Sequence, residues 1–166
     1  MSKGENTLLF GSTILGATLV AMHLAALGLS WPLVLLGALI GADVIGGAVC
    51  NMTETTKRWY HRPEQGPRDH LKFIALHILH IVVVAWAFRG AGFDVIYAFT
   101  IGGWLLASAV IVFFAPAALR SPLATTLFTV ALGLSLYVLG PTPGLEWFVP
   151  LLFVKLLIGH AVPLRG

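Results

Sequence analysis

Residues 41–80 decide the fold, and they read GADVIGGAVCNMTETTKRWYHRPEQGPRDHLKFIALHILH. Two apolar runs flank a polar segment that is rich in basic and aromatic residues. Asp43 lies inside the first run, and His70, His77 and His80 follow one another along the second. Most of the polar chemistry of an apolar chain is therefore gathered into two predicted helices and the loop between them.

The composition indicates a membrane protein. Hydrophobic residues make up 58% of the 166 positions and charged residues only 10%, whereas soluble domains carry about 25% charged residues. Continuous apolar runs of about 20 residues cross a hydrocarbon core of about 30 Å as helices, while barrel strands are alternating segments of about ten residues. The sequence predicts an all-α, polytopic integral membrane bundle that forms a single domain over residues 1–166.

Six membrane-spanning helices are expected from the apolar runs and the turns between them. Most turns are short and contain glycine or proline, which favours antiparallel neighbours. Gly37, Gly41 and Gly46 give the second run a small-residue surface that lets another helix approach closely. The predicted spans cover residues 8–29, 31–50, 71–88, 93–115, 121–139 and 146–162.

The long connection at residues 51–70 sets the expected orientation. Its basic residues are Lys57, Arg58, Arg62 and Arg68. Lysine and arginine accumulate in cytoplasmic loops, and Lys3, Arg120 and Arg165 fall on the same side as this loop. We expect a cytoplasmic loop, both termini in the cytoplasm and, from the small glycine- and alanine-rich chain, a multi-pass protein of a bacterial inner membrane.

The net charge of +3 does not indicate nucleic acid, because the basic residues crowd into membrane-flanking turns. The expected partners are the lipid bilayer with its anionic headgroups and either a second copy of the chain or a larger membrane complex. Cys50 is the only cysteine, which excludes an internal disulfide and a cysteine-based zinc site. No phosphate-binding or dinucleotide glycine motif is present, so no nucleotide cofactor is expected.

Helix geometry predicts that several ionisable groups lie at one depth. Asp43 is about eight residues, or roughly 12 Å, from the loop end of its span. His77 lies seven residues beyond His70, at a similar depth. The predicted layer in the cytoplasmic half of the bundle contains Asp43, His77, His80 and Lys155. If the stripes of the two helices face each other, Asp43 meets His77 and His80, and Asn51 comes near His70.

The favoured hypothesis is a metal site. Two histidines and a carboxylate suit a transition metal ion such as zinc or iron. The protein would then be a membrane-embedded metal-binding protein or a metalloenzyme acting on a lipidic or small hydrophobic substrate. No HExxH motif is present, and His23 and His160 are placed poorly for haem. The candidate ligands are His77, His80, Asp43 and His70.

Two alternatives remain open. A proton- or ion-coupled transporter would exchange protons among Asp43, His77 and Lys155. An accessory subunit of a larger complex would dock its polar stripe on a partner. The plainest interpretation is a buried ion pair between Asp43 and Lys155, because a charge at the bilayer centre costs roughly 2.5 to 3.5 kcal/mol and requires a partner.

The loop forms a second candidate site. Its arginines lie beside aromatic and polar residues, a combination suited to an anionic lipid headgroup or a phosphate. Taken singly, each of these residues is explained by the cytoplasmic charge bias and an interfacial aromatic belt. The candidate set is Asn51, Arg58, His61, Arg62 and Arg68.

Overall fold

The computed structural model describes residues 1–164, and every regular element in that range is helical. Arg165, which was expected on the side of the loop, lies outside the described residues. The last two α-helices continue as π-helical segments, over Leu134–Val138 and Val154–His160. The α-helices are α1 (Lys3–Ala26), α2 (Trp31–Met52), α3 (Glu54–Tyr60), α4 (Pro67–Leu76), α5 (Ile78–Ala87), α6 (Val95–Phe114), α7 (Ala117–Gly133) and α8 (Phe148–Phe153).

Five helical stretches are long and apolar enough to cross a membrane, which confirms the predicted helical membrane class. The last apolar stretch, Phe148–His160, is shorter than the other five. It falls where the sequence predicted a sixth span at residues 146–162. The five long stretches are Lys3–Ala26, Trp31–Met52, Pro67–Ala87, Val95–Phe114 and Ala117–Val138.

α1 and α2 form a tight antiparallel hairpin. The turn between them contains Gly28, whose φ of +77° is a left-handed conformation that glycine adopts without strain. A β-carbon at Gly16 would lie 2.8 Å from Ile45, and one at Gly41 would lie 3.0 Å from Val20. The missing side chains therefore allow the two backbones to approach closely, as the glycines of the second apolar run predicted.

The third apolar stretch is interrupted at His77, between α4 and α5. The amide of His77 bonds to the carbonyl of Ile74 at 3.0 Å, which is tighter than the α-helical pattern. Its ring Nδ1 donates to the carbonyl of Phe73 at 2.8 Å. The ring nitrogen of His77 thus donates to the Phe73 carbonyl, which the backbone amide of His77 would bond in a regular α-helix.

Both ends of the described chain lie at the same end of the bundle as α3, and we call this the loop end. Glu5, in the first turn of α1, accepts a hydrogen bond from the hydroxyl of Thr55 at 2.8 Å. Lys57 donates to the carbonyl of Val162 at 2.6 Å.

Candidate functional site

An ion network joins α2, α5 and the last helix. The Oδ2 atom of Asp43 accepts a hydrogen bond from Lys155 Nζ at 2.6 Å, and His80 Nε2 lies 3.1 Å from the same oxygen. Lys155 Nζ also donates to the backbone carbonyl of Asp43 at 3.2 Å. We call these three residues the triad. One carboxylate oxygen therefore contacts side chains from two other helices.

One stripe of α2 holds Lys155 at three points. Asp43 binds its ammonium, and Gly47 leaves room for its stem, because a β-carbon at Gly47 would lie 2.5 Å from Lys155 Cε. Asn51, which is buried, donates to the carbonyl of Lys155 at 3.0 Å. That carbonyl belongs to the π-helical segment, whose hydrogen bonds run from residue i to i+5 and displace the regular ladder.

The contact between Asp43 and His80 agrees with the predicted pairing of helix stripes, and Asn51 has a partner that the sequence did not indicate. The stripe of Asp43 and Asn51 was expected to face the histidine stripe, with Asn51 near His70. Asn51 instead contacts the last helix through the carbonyl of Lys155. The physical reason is Gly47, because its missing side chain allows the lysine stem to pass across α2.

His77 does not bind Asp43, contrary to the expectation from spacing. Its Nδ1 is occupied by the carbonyl of Phe73, because the helix breaks at this residue. Its ring instead stacks on that of His80, with centroids 5.3 Å apart. The triad therefore connects to His77 through His80.

The triad is open to one side. The side chain of Asp43 is 47% exposed and that of His80 is 25% exposed, whereas that of Lys155 is 4% exposed. His80 Nδ1 is buried without a hydrogen-bond partner among the described residues. A groove of about 180 Å³ runs beside His80 between α2 and α5, with Leu39 and Leu79 in its walls.

A second cluster contains His61, His70 and His160, at the loop end. His70 Nδ1 and His160 Nε2 share a hydrogen bond at 3.0 Å. The rings of His61 and His70 stack with centroids 4.7 Å apart, and His61 Nε2 donates to the carbonyl of His160 at 2.9 Å. His70 is therefore separated from His77 and His80, with which it was grouped as a metal ligand.

His160 is the residue that sequence reasoning missed. It was expected at the cytoplasmic edge of the membrane and was left out of the candidate site, yet its side chain is buried among the loop-end histidines, with 1% exposure. It lies five residues after Lys155, which is well past one turn of an α-helix with 3.6 residues per turn. In a π-helix the hydrogen bonds span five residues, so this spacing is close to one turn. An unexpected π-helical segment therefore brings the two residues closer to one face.

Phe73 connects the two groups of histidines. Its ring lies 4.3 Å from that of His160 and 4.9 Å from that of His77, between centroids. Five of the six histidines thus form a continuous row that starts at Asp43 and ends at the loop end, and we call it the histidine row. The remaining one, His23, is exposed. The order of the row is His80, His77, Phe73, His160, His70 and His61.

The histidine row ends at an open cavity of about 720 Å³, which His61 lines together with Arg58 and Arg62. Arg58 pairs with Glu54, and the guanidinium of Arg62 lies 4.2 Å from the centre of the Trp59 ring. Burial lowers the pKa of His61, and nearby cationic groups lower it further. Neutral His61 is therefore favoured at neutral pH.

Lys57 ties this cavity to the last helix. Its ammonium donates to the carbonyls of Ile158, Gly159 and Val162 at 3.0, 2.7 and 2.6 Å. Burial lowers the pKa of Lys57 to about 8, so the side chain is still charged at pH 7. A cation at the carboxyl end of a helix is favoured by the helix dipole. Lys57 therefore holds the end of the histidine row in place.

The predicted headgroup residues separate into three places. Arg58, His61 and Arg62 line the loop-end cavity. Asn51 is buried at the last helix. Arg68 lines a different groove, between α4 and α6. The loop is therefore not one binding surface, because α3 and α4 turn its basic residues toward different sides of the bundle.

No set of three or more His, Cys, Asp and Glu side chains within residues 1–164 is arranged to hold a metal ion. The fold and site define an all-helical protein with membrane-length apolar helices and ionisable residues between them. Comparisons with protein-family models, curated proteins and solved structures find no significant match.

Proposed function

We propose that this protein is a proton-coupled membrane transporter in which the histidine row carries protons between the loop-end cavity and Asp43. The observation that supports it is the row itself, in which five histidines, with the Phe73 ring between His77 and His160, lead from the carboxylate of Asp43 to the loop end. Histidine exchanges protons near neutral pH. Chains of acidic residues and histidines within membrane helices are typical of proton relays.

The proposed setting is a bacterial inner membrane with six spans, of which Phe148–His160 with its flanking residues is the sixth. A cytoplasmic position for the loop end is supported by its basic residues, because lysine and arginine accumulate on the cytoplasmic side of membrane proteins. Both termini are then cytoplasmic too. Protons would enter the histidine row from the cytoplasmic side, at His61.

In this mechanism Asp43 is the group whose charge changes. When it is ionised, its carboxylate holds Lys155 and His80. A proton delivered through His80 neutralises Asp43 and weakens its attraction to Lys155. The last helix would then be held to α2, among these contacts, by the hydrogen bond of Asn51 and by the one from Lys155 to the backbone carbonyl of Asp43. The last helix is therefore held to α2 more strongly when Asp43 is ionised than when it is protonated. A coupled movement requires such a difference in free energy between two states of the bundle.

The slow step of the proposed relay is proton transfer past His77 and Phe73. His77 Nδ1–H donates to the carbonyl of Phe73, so this ring must rotate or exchange a proton with water before it passes a proton on. The Phe73 ring separates His77 from His160. A gap of this kind slows passive leakage of protons, as a coupled transporter needs.

The test uses the purified full-length protein in proteoliposomes adsorbed to a solid-supported membrane. Panels of monovalent cations, small anions and amines are applied at pH 6 and pH 8, and the current is recorded. We expect a solute-dependent current that changes with pH and disappears in Asp43→Asn. His23→Gln is the matched control, because this histidine is exposed and outside the row, and it should retain the current.

Two results would count against the proposal. One is an equal current in Asp43→Asn and the unaltered protein. The other is the absence of any pH-dependent current from a protein whose unfolding transition shows that it is folded. Elemental analysis of the same samples tests the metal hypothesis, which would require a transition metal that is lost in His80→Ala.

A second candidate function is that of a subunit in a larger membrane complex. The half-exposed carboxylate of Asp43 favours it, since a polar group facing lipid is costly unless another chain covers it. The groove between α2 and α5 would be the contact surface. Cysteines introduced at Leu39 and Leu79 should then cross-link to a second chain in native membranes, and would remain unlinked in a transporter that acts alone.

A further inference from the structure

We propose that the groove between α4 and α6 binds one anionic phospholipid, with its phosphate at Arg68 and Lys72 and an acyl chain along the apolar wall. This site is separate from the histidine row and does not depend on the transport proposal. The groove has a volume of about 470 Å³. Its lining residues are Arg68, Leu71, Lys72, Ala75, Leu106 and Val110.

The two cations are available for a ligand. Arg68 and Lys72 are one turn apart on α4, so their side chains lie on the same face of the helix. Both are exposed, and neither takes part in a salt bridge within the described part of the chain. The nearest acidic residue in sequence, Asp69, turns its carboxylate back to the amide of Gly66 at 3.1 Å.

The other arginines of the loop end are engaged differently. Arg58 is paired with Glu54. Arg62 donates to the carbonyl of Trp59 at 2.6 Å and lies against its ring. Arg120 donates to the carbonyl of Ala115 at 3.2 Å. Arg68 and Lys72 therefore form an adjacent pair of cations that has no salt bridge within residues 1–164.

The groove below these cations is apolar and runs along the helices, as an acyl chain does in a membrane. α4 begins at Pro67, and Ala75 lies about 10 Å deeper than Arg68 at 1.5 Å per residue. α6 runs the opposite way and ends at Phe114, so Val110 is one turn from its end and Leu106 is two turns from it. Their side chains are 44% and 38% exposed. The charged end of the groove is thus at the membrane surface.

This combination favours a phospholipid over a free anion. Juxtamembrane lysine and arginine are each attracted to anionic lipid by about 1 kcal/mol near the surface. A soluble phosphate would contact only the two cations and would leave the apolar wall of the groove uncovered. A neutral lipid would use only the wall. A lipid with a net negative headgroup is the ligand that satisfies both halves of the groove.

The test is native mass spectrometry of the full chain in detergent with added phosphatidylglycerol or phosphatidylcholine of the same acyl chains. We expect one phosphatidylglycerol per chain to be retained. Arg68→Ala with Lys72→Ala should weaken its binding about tenfold or more, as expected for the loss of two surface cations. Binding of phosphatidylcholine should change little. Ala75→Phe, which fills the groove without removing charge, should also weaken binding of phosphatidylglycerol.

The matched control is Arg58→Ala with Arg62→Ala, which removes the same charge from the other cavity. If this control loses the lipid while the Arg68 and Lys72 variant keeps it, the proposal is wrong. It is also wrong if Ala75→Phe binds the lipid normally, or if inorganic phosphate at equal concentration displaces it. Unfolding temperatures of the lipid-free variants establish that each one is folded.

Discussion

Two ion pairs in this molecule have similar distances but different surroundings. Arg89 Nε donates to Asp94 at 3.0 Å at one end of the bundle, and Lys155 donates to Asp43 at 2.6 Å in its interior. Arg89 also donates to the carbonyls of Leu139 and Gly140, both at 2.8 Å. The arginine therefore joins three chain segments and has almost no unused donor.

The triad is the opposite case. Its members are an aspartate, a lysine and a histidine, each of which can gain or lose a proton, whereas arginine stays charged. Asp43 is half-exposed, and one nitrogen of His80 has no partner. An ion pair is suited to a structural role when its cation is an arginine, which stays charged, and when nearly all the donors of that arginine are used. A pair of titratable groups with unused positions is suited to function.

The largest expected effect is the loss of the Arg89 contacts. Arg89→Met leaves two carbonyls and the Asp94 carboxylate without their donor, and we expect the free energy of unfolding to fall by about 3 to 5 kcal/mol. Adding Asp94→Asn should not restore it, because the carbonyls of Leu139 and Gly140 still lack a donor. Denaturant unfolding in detergent measures both variants. Recovery in the double variant would show that the pair acts only through its charges.

In the triad, removal of one charge should lower the free energy of unfolding, and removal of both charges should restore it. Asp43→Leu leaves the Lys155 ammonium buried without its carboxylate, and we expect a loss of about 3 kcal/mol. Adding Lys155→Met should return the free energy of unfolding to within about 1 kcal/mol of the unaltered protein, because both charges are then replaced by apolar groups. Transport should be absent from both. A double variant that stays as unstable as Asp43→Leu would assign the triad a structural role like that of Arg89.

A smaller effect is expected from filling the space beside Lys155. The β-carbon of Gly47→Ala would lie 2.5 Å from the lysine stem, and overpacking of this kind costs about 1 to 3 kcal/mol. The displaced ammonium should also reduce transport. Gly133→Ala is the matched control in another membrane-length helix, because nothing lies within 4 Å of its β-carbon. Equal behaviour of the two variants would mean that Gly47 does not position Lys155.

The smallest expected effect is a change in pH dependence at the loop end. Burial lowers the pKa of His61 in the folded chain, so below about pH 6.5 the unfolded chain binds the proton more readily. The unfolding temperature should therefore fall on acidification from pH 7.5 to 5. His61→Gln keeps a donor for the carbonyl of His160 but does not titrate. It should show a shallower fall, and a steeper one would contradict the assigned direction.

Much of the fold could be predicted from apolar runs and turns. The class was right because lipid requires every backbone group to be satisfied within a helix. Counting residues also placed Asp43 and Lys155 at similar depth, where the structure has them in contact. The interruption at His77 could not be predicted, because it depends on a ring nitrogen replacing a backbone donor.

The candidate site was predictable only in part. Asp43 and His80 were in the predicted layer and do meet. His70 and His77 were assigned to the same site but have other partners, His160 for the first and the carbonyl of Phe73 for the second. The place of Lys155 depends on Gly47 and that of His160 on a π-helical segment, and neither has a signature in hydrophobic spacing.

The sequence by itself determined that this is a helical protein with membrane-length apolar segments and with its basic residues gathered largely at one end. Those properties follow from the composition, from the length of the apolar runs and from the positions of the charged residues in the sequence. Only the tertiary structure decided that Asp43 faces Lys155 and that five histidines form one row. The physical reason is that helix contacts depend on close approach at single glycines and on breaks in hydrogen bonding, which rotate every later side chain.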